Sequence, residues 1–381
     1  GDGTLRLIEP VADVPAVVKR LVAADLSELP TASTILTPDT TFDDTYLIEV
    51  SRGCPHGCRF CSAGFIYRPP RFRPLGLLDC QIDEGCALTD RIGLVGAAVS
   101  DLPDLGDLVT DHRGREVRFS FSSLRADALT GPLVAALQKS RVKTATIAPD
   151  AGSERMRRVI NKGITEDHVL AAAETLVAGG IPNLKVYFMV GLPTETDADV
   201  AAIVDLVKRT KRVFLTTSRG RGRMGEITVS LSSFVPKPVT PFQWAAMDTV
   251  KTLKQKIKTV KTGLGRTANV RVHADLPRWA YLQGLIARGD RRVAEILLNG
   301  HRHRGNWPRT FKESSIDPHF YVHRERGPAE RFPWDFIEHG IDKSYLLLEN
   351  RRALSGRTSP PCPADPARCS VCGVCSGKRD A

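Results

Sequence analysis

The stretch "SRGCPHGCRFCSAGFIYRPPRFR" (residues 51–73) packs three cysteines, Cys54, Cys58 and Cys61, into eight positions and follows them with an arginine-rich run. Gly53 and Gly57 stand between them and let the backbone wrap closely around whatever the thiols hold. A structural zinc takes four ligands, usually from paired knuckles. No fourth cysteine lies beside these three, and His56, inside the group, is badly placed to share a centre with them. A [4Fe–4S] cube held by three cysteines leaves one iron open to an exogenous ligand, an arrangement suited to catalysis rather than structure.

On either side of this stretch the chain alternates short apolar runs with longer amphipathic ones. "TYLIEVS" (45–51), "RIGLVGAAVS" (91–100), "EVRFSFSSL" (116–124), "VKTATIAP" (142–149), "NLKVYFMVGLP" (183–193) and "EITVSLSSFVP" (226–236) predict six strands. "DALTGPLVAALQKS" (127–140), "TEDHVLAAAETLVAGG" (165–180) and "TDADVAAIVDLVKRTKR" (196–212) predict helices, the last two opening on Thr with acids in the first turn. Strands alternating with helices imply a parallel α/β sheet with right-handed crossovers, open or closed into a full or partial barrel. In such folds ligands sit at the carboxyl ends of the strands, which is where the three cysteines fall.

This reading divides the chain into a lead-in (1–42), a core (43–245), a C-terminal α+β accessory region (246–349) and a cysteine-rich tail (350–381). The lead-in includes a helical pattern, "VPAVVKRLVAADL" (14–26), then an extended Pro/Thr-rich stretch. The accessory region holds a basic helix (247–264), a strand-like piece (269–276) and one long helical stretch (279–300).

At 381 residues, 42% apolar and 25% charged, the chain has the composition of a globular protein, and no apolar run approaches the ~20 residues of a membrane span. The net charge of +11 is compatible with a polyanion such as RNA, and "KRTKRVFLTTSRGRGR" (208–223) concentrates seven Lys or Arg without an acid. A solvated basic surface explains the charge equally well. Nine cysteines, an odd number with ligand-like spacings, argue for metal binding in a reducing, cytoplasmic compartment rather than for disulfides.

The cysteine loop resembles the hallmark of the radical S-adenosylmethionine (SAM) superfamily, C-x3-C-x-Φ-C with Φ aromatic, here with Phe60 at the aromatic position. The resemblance implies a partial (β/α)6 TIM-type barrel and a [4Fe–4S] cluster on Cys54, Cys58 and Cys61. The open iron of that cluster binds SAM, and a flavodoxin- or ferredoxin-type donor supplies electrons to cleave it to a 5′-deoxyadenosyl radical. "VYFMVGLPTET" (186–196) resembles the motif whose backbone, here Val190 and Gly191, lies near adenine. "SFSSLRAD" (120–127) and "PDAGSERMRRVINKG" (149–163) resemble the segments that touch the ribose and methionine ends, which implies contacts from Ser123, Arg125, Ser153 and Arg155. Where relatives carry Gly-Gly-Glu this chain reads "GAAVSD" (96–101), passing amino-group binding to backbone or Ser100. Asp150 stands where many relatives have Glu.

"SSFVPKPVTPFQW" (232–244), "ARGDRRVAEIL" (287–297) and "FPWDFIEHGIDKSYLLLE" (332–349) are similar to the branch that usually carries an N-terminal cobalamin-binding-type domain. Only 53 residues precede Cys54 and no D-x-H-x-x-G is present. The opening residues resemble the segment joining such a domain to the barrel, so cobalamin is expected only if the chain is the C-terminal part of a longer protein. The branch includes methyltransferases, ring-forming enzymes and methylthiotransferase-like RNA modifiers. The resemblance implies C–H functionalisation, including cobalamin-linked methyl transfer, of a small or lipid-like molecule, with a methylthiotransferase-like modifier of RNA or protein, and a non-catalytic iron–sulfur or zinc protein, as the alternatives.

The tail reads "CPADPARCSVCGVC": Cys362, Cys369, Cys372 and Cys375 supply four thiolates, enough for a second [4Fe–4S] cluster or a tetrahedral zinc. Cys80 and Cys86 read as small apolar residues. Arg68, Arg71 and Arg73 either line the barrel mouth or lock the loop onto it. Substrate identity does not follow from the sequence.

Overall fold

The computed structural model describes residues 3–110, 116–219, 225–363, 365 and 369–375. Its centre is a parallel sheet in simple sequential order. Strands β1 (Tyr46–Glu49), β2 (Arg91–Val95) and β3 (Arg118–Phe121) pair in parallel. A single parallel bridge, Leu124 to Ile147, passes the sheet on to β4 (Thr144–Asp150). From there β5 (Asn183–Val190), β6 (Ile227–Ser233) and β7 (Val270–Ala274) continue it, all parallel. All six expected strands form, and the sheet is a partial barrel with β1 and β7 as its edges.

Right-handed crossovers place the helices on one side of such a sheet. They include α1 (Leu75–Cys86), α2 (Leu105–Thr110), α3 (Gly131–Lys139), α4 (Glu154–Val159), α5 (Glu166–Ala178) and α6 (Asp197–Ser218). Their starts are chemically marked: Thr130, Ser153, Thr165 and Thr196 each accept a backbone N–H with the side chain, and the last two complete capping boxes with His168 and Asp199. The buried residues of β5 and β6, Leu184, Val186, Phe188, Ile227, Val229 and Leu231, belong to one core with α5 and α6. The alternate residues, Lys185, Tyr187, Thr228, Ser230 and Ser232, are half-exposed on the opposite, inner face. That face is polar, as a ligand chamber needs to be.

Three sequence expectations give way. The pattern at 14–26 forms no helix; Val18–Lys19 is instead a short strand parallel to Ile337–Glu338. Leu26 is buried, but Val14, Val17, Val18, Leu21 and Val22 stay exposed, so the amphipathic spacing has no apolar face packed against it to stabilise a helix. The sheet also runs past the boundary placed at 245, because α7 (Val250–Leu264) leads into β7, which pairs with β6 over five residues. The long helical stretch divides into α8 (Pro277–Arg288) and α9 (Val293–Arg302), parted at Gly289, whose backbone is extended. Shorter helices α10 (Trp307–Glu313) and α11 (Pro318–Val322) follow, and α12 (Lys343–Leu354) carries the chain beyond the expected start of the tail.

The lead-in has one clear role. Residues 31–33 lie antiparallel to β1, through Ser33 N–H to Leu47 O (2.9 Å) and Glu49 N–H to Thr31 O (3.0 Å), and cover an edge that would otherwise be open.

Gly152, just before α4, is the closest approach of the β4–α4 turn to α6: a Cβ there would lie 2.2 Å from the backbone nitrogen of Ile203. Backbone cannot yield as a side chain can. Gly152→Ala is therefore expected to destabilise the barrel by about 3 kcal/mol, measured by urea unfolding.

Candidate active site

The cysteine loop leaves β1 through an antiparallel pairing of Ser51–Arg52 with Arg71–Phe72, which closes residues 53–70 into one loop at the carboxyl end of the strand. Gly53 sits at φ +90°, and a Cβ on it would come within 2.4 Å of Tyr67 O, so the neck of the loop admits only glycine. The arginines behind the cysteines lock this loop in place. Arg73 reaches Glu49 and the carbonyls of Leu26 and Leu29, and Arg71 bonds Pro69 O (3.1 Å) and Ala23 O. Arg68 donates from Nε to Gly64 O (2.6 Å) and from Nη1 to the Tyr345 hydroxyl (3.3 Å).

The central anchor is Arg59, between Cys58 and Cys61 and fully buried. Its guanidinium holds Glu349 Oε2 at 3.0 Å, the carbonyls of Arg158 and Val159 at the end of α4, and Arg357 O at 2.8 Å. Its backbone N–H bonds Ile160 O. Glu349, on α12, also takes Ser359 Oγ (2.7 Å) and Arg352 Nη1 (2.8 Å). Burial pushes the Glu349 carboxyl up, but Ser359, Arg59 and Arg352 outweigh it and hold the carboxyl below its ordinary range.

The three thiols suit an iron–sulfur centre. Burial pushes Cys54 up to about 12, with Cys58 and Cys61 adding to it, and burial likewise pushes Cys58 up to about 11. Thiols placed like this stay protonated in the bare protein, and a bound metal centre is what ionises them. Two cations, Lys162 and Arg125, stand near Cys58 and favour its thiolate. Lys162 Nζ pairs with Asp150, itself at φ +62° where β4 ends. Burial pulls the Lys162 ammonium down, but Asp150 and Cys58 prevail and hold it above its ordinary range.

His56 gives its ring to Asp101 (Nε2 to Oδ2, 2.9 Å) rather than to the cysteines. Phe60 packs against a small core that includes Ala151, Ile160 and Leu192, with Met189 beside it. Val190 is buried at the end of β5, and Gly191 (φ +83°) gives its N–H to Glu195 Oε2 (2.7 Å), a carboxylate also held by Lys256 (2.9 Å). Ser123 is exposed on the turn after β3. Arg125 forks onto Asp127 (3.0 and 2.7 Å) and takes the Ser100 Oγ on its own N–H (3.4 Å). Ser153 caps α4 and donates to Asp199 Oδ1 (2.6 Å), and Arg155 binds the same carboxylate and Thr194 O (2.8 Å). Ser153 and Arg155 are thus committed to fixing α4 against α6.

Sequence reasoning did not single out Arg59, Lys162 or Asp101. Arg59 is one arginine among many in a basic chain, and the partners of Arg59 and Asp101, Glu349 and His56, lie far from them in the sequence. Of the basic run 208–223, the first eleven residues belong to α6, whereas 220–223 lie outside the described residues.

The tail cysteines come up against the same loop. Cys362 gives its backbone N–H to Pro55 O (2.8 Å), Cys372 is buried, and all four line one cavity with Arg68 and Tyr345. Among the described residues, no three His, Cys, Asp or Glu side chains close on a single point as the ligands of one ion do.

Removing the Glu349 charge leaves Arg59 buried and uncompensated. Glu349→Gln should cost about 3–5 kcal/mol in urea unfolding at neutral pH. Because the folded carboxyl titrates below its unfolded value, the stability it contributes is complete above the ordinary Glu range and is lost as pH falls through the folded value. The variant's stability should accordingly fall less steeply in acid than that of the parent.

The family model for the radical SAM superfamily matches residues 48–207. An uncharacterized protein of Methanocaldococcus jannaschii is 35% identical over 258 residues, covering 67% of this chain and 54% of that one. An uncharacterized methyltransferase of Pyrococcus horikoshii is 25% identical over 175 residues, covering 43% of this chain and 36% of that one. This chain thus spans about half, or less, of the length of these relatives. Among solved structures, SuiB of Streptococcus suis bound to S-adenosylmethionine superposes on 60% of this chain and 50% of its own, with a TM-score of 0.42 at 14% identity. The family match takes in the cysteine loop and the strands from the end of β1 through β5, so residues 48–207 of this chain form a radical SAM superfamily domain.

Proposed function

We propose that this chain is a radical SAM enzyme that binds a [4Fe–4S] cluster through Cys54, Cys58 and Cys61 and functionalises a C–H bond of a small or lipid-like substrate. The observation that carries this reading is the trio of thiols, two of them shifted upward by burial, on a braced loop at the carboxyl end of β1. When bound, the cluster supplies the electron for reductive cleavage of SAM to a 5′-deoxyadenosyl radical.

The chain's own residues prepare that chemistry. Arg59 anchors the loop in its middle and Arg73 just beyond its C-terminal end, and Lys162 and Arg125 place positive charge beside Cys58. Phe60 and Met189, both packed on the small apolar core that contains Leu192, and the adjoining Val190–Gly191 are assigned to the flat face of adenine. Ser123 and Arg125 are assigned to the polar end of SAM, and Ser153 and Arg155 to positioning through Asp199. The inner face of β5 and β6, with Lys185, Tyr187, Ser230 and Ser232, is assigned to the substrate. A flavodoxin- or ferredoxin-type protein in a reducing cytoplasm is the expected donor; among the described residues no helix is long and apolar enough to cross a membrane.

A second reading, methyl transfer from SAM, is favoured by the similarity to the uncharacterized methyltransferase of Pyrococcus horikoshii.

Anaerobic reconstitution with iron and sulfide, followed by SAM and a low-potential reductant, is expected to yield 5′-deoxyadenosine by mass spectrometry. Cys54→Ala, Cys58→Ala and Cys61→Ala should each reduce it to background. A fully reconstituted parent that releases none would overturn the radical reading.

A further inference from the structure

We propose that Cys362, Cys369, Cys372 and Cys375 hold a second [4Fe–4S] cluster, seated against the back of the first cysteine loop with Arg68 as its counter-charge. The four thiols come from a chain segment about 300 residues away from that loop, yet they line one cavity whose far wall is Arg68 and Tyr345. The segment is pinned there. Cys362 N–H bonds Pro55 O at 2.8 Å, next to Cys54, and Asp342 N–H bonds Cys372 O at 3.0 Å. The turn between Cys372 and Cys375 passes through Gly373 at φ +90°, where a Cβ would lie 2.7 Å from Asp342 Oδ2, so the thiols are presented by a turn that only glycine can make.

Arg68 supplies the second, independent observation. It is 4% exposed, and among the described residues it has no carboxylate partner; its bonds go to Gly64 O and the Tyr345 hydroxyl, and it lies over the Phe65 ring. A guanidinium this dry is costly unless an anion stands near it. The neighbour on its open side is the cavity of four thiols, and a centre ligated by four thiolates carries net negative charge. Four thiolates suit a cube or a tetrahedral zinc alike. The cube is assigned because the first loop of the same chain already calls for iron–sulfur assembly, and the four tail cysteines line one cavity. With four thiolates, this cluster has no iron left open to SAM.

The test counts iron, acid-labile sulfide and zinc in the full chain after anaerobic reconstitution. We expect about eight irons per chain in the parent and about four in Cys369→Ala/Cys372→Ala. About four should also remain in the variant with Cys54, Cys58 and Cys61 all changed to Ala, and its reduced electron paramagnetic resonance spectrum should be unmoved by SAM. One zinc per parent chain, lost with Cys369 and Cys372, would overturn the proposal, as would equal iron in the parent and the tail variant. Iron lost with the tail but unchanged when the first three cysteines are removed would sink the reading of the first loop and leave this one standing. In the variant lacking the first three cysteines, Arg68→Met should shift the remaining cluster to a more negative potential, with Arg68→Lys restoring part of the shift. Identical potentials across the three would remove Arg68 from the proposal.

Discussion

The loop that carries Cys54, Cys58 and Cys61 cannot hold its own shape. It is short, glycine-rich and nearly free of regular structure, and its position depends on the buried pair of Arg59 and Glu349. A buried ion pair by itself is a poor source of stability, because desolvating both charges offsets their attraction. This one is surrounded by further donors and acceptors: two carbonyls at the end of α4, one at residue 357, and Ser359 and Arg352 on the carboxylate. Every bond draws a separate part of the chain to the same point. The pair therefore joins the cysteine loop, the β4–α4 turn, α12 and the tail, and its chief effect is to make one arrangement of the four much better than any other.

A second consequence concerns the two cysteine groups. Residue 357 is tied to Arg59, and the bond from Cys362 to Pro55 brings the described tail cysteine against the loop. Arg68, on the far side of the same loop, faces the tail thiols. The loop that carries the first three thiols thus also meets the four tail cysteines, on the side of Arg68. The barrel contributes a different asymmetry. Its helix-facing residues are apolar and fully buried, while its inner residues on β5 and β6 are polar and half-exposed. The inner face of β5 and β6 thus carries partly exposed polar side chains, with Met189 among them, rather than packed core.

Much of this was legible in the sequence for a simple reason: each signal is local. Six strands and three major helices announce themselves by period, by Thr caps with acids in the first turn, and by glycines at their ends. The failures occurred where a local signal met no tertiary partner or met an unexpected one. Residues 14–26 have helical spacing, but of their large apolar side chains Leu26 is buried while the others stay exposed, and Val18–Lys19 pairs beside Ile337–Glu338 instead. Residues 270–274 looked like an isolated strand of an accessory region and prove to be the seventh strand of the sheet, because β6 offered them a free parallel edge. Ser153 and Arg155 matched a motif by position, yet their side chains are held by Asp199, a residue on a helix that the motif does not include.

By itself the sequence determined the chemistry available at the first site. Three cysteines at C-x3-C-x2-C spacing, with glycines that let the backbone wrap and no fourth thiol nearby, specify a centre with one position left open, and residue spacing is a property of the chain alone. It determined the parallel α/β class as well, because alternating periods leave few other ways to bury both kinds of surface. Only the tertiary structure decided which arginine anchors the loop, that Lys162 and Asp150 flank Cys58, and that the last cysteines come to rest behind the first. These depend on burial. A guanidinium selects its partner only when water has been excluded from both, and that exclusion is achieved by the whole packed chain rather than by any segment of it.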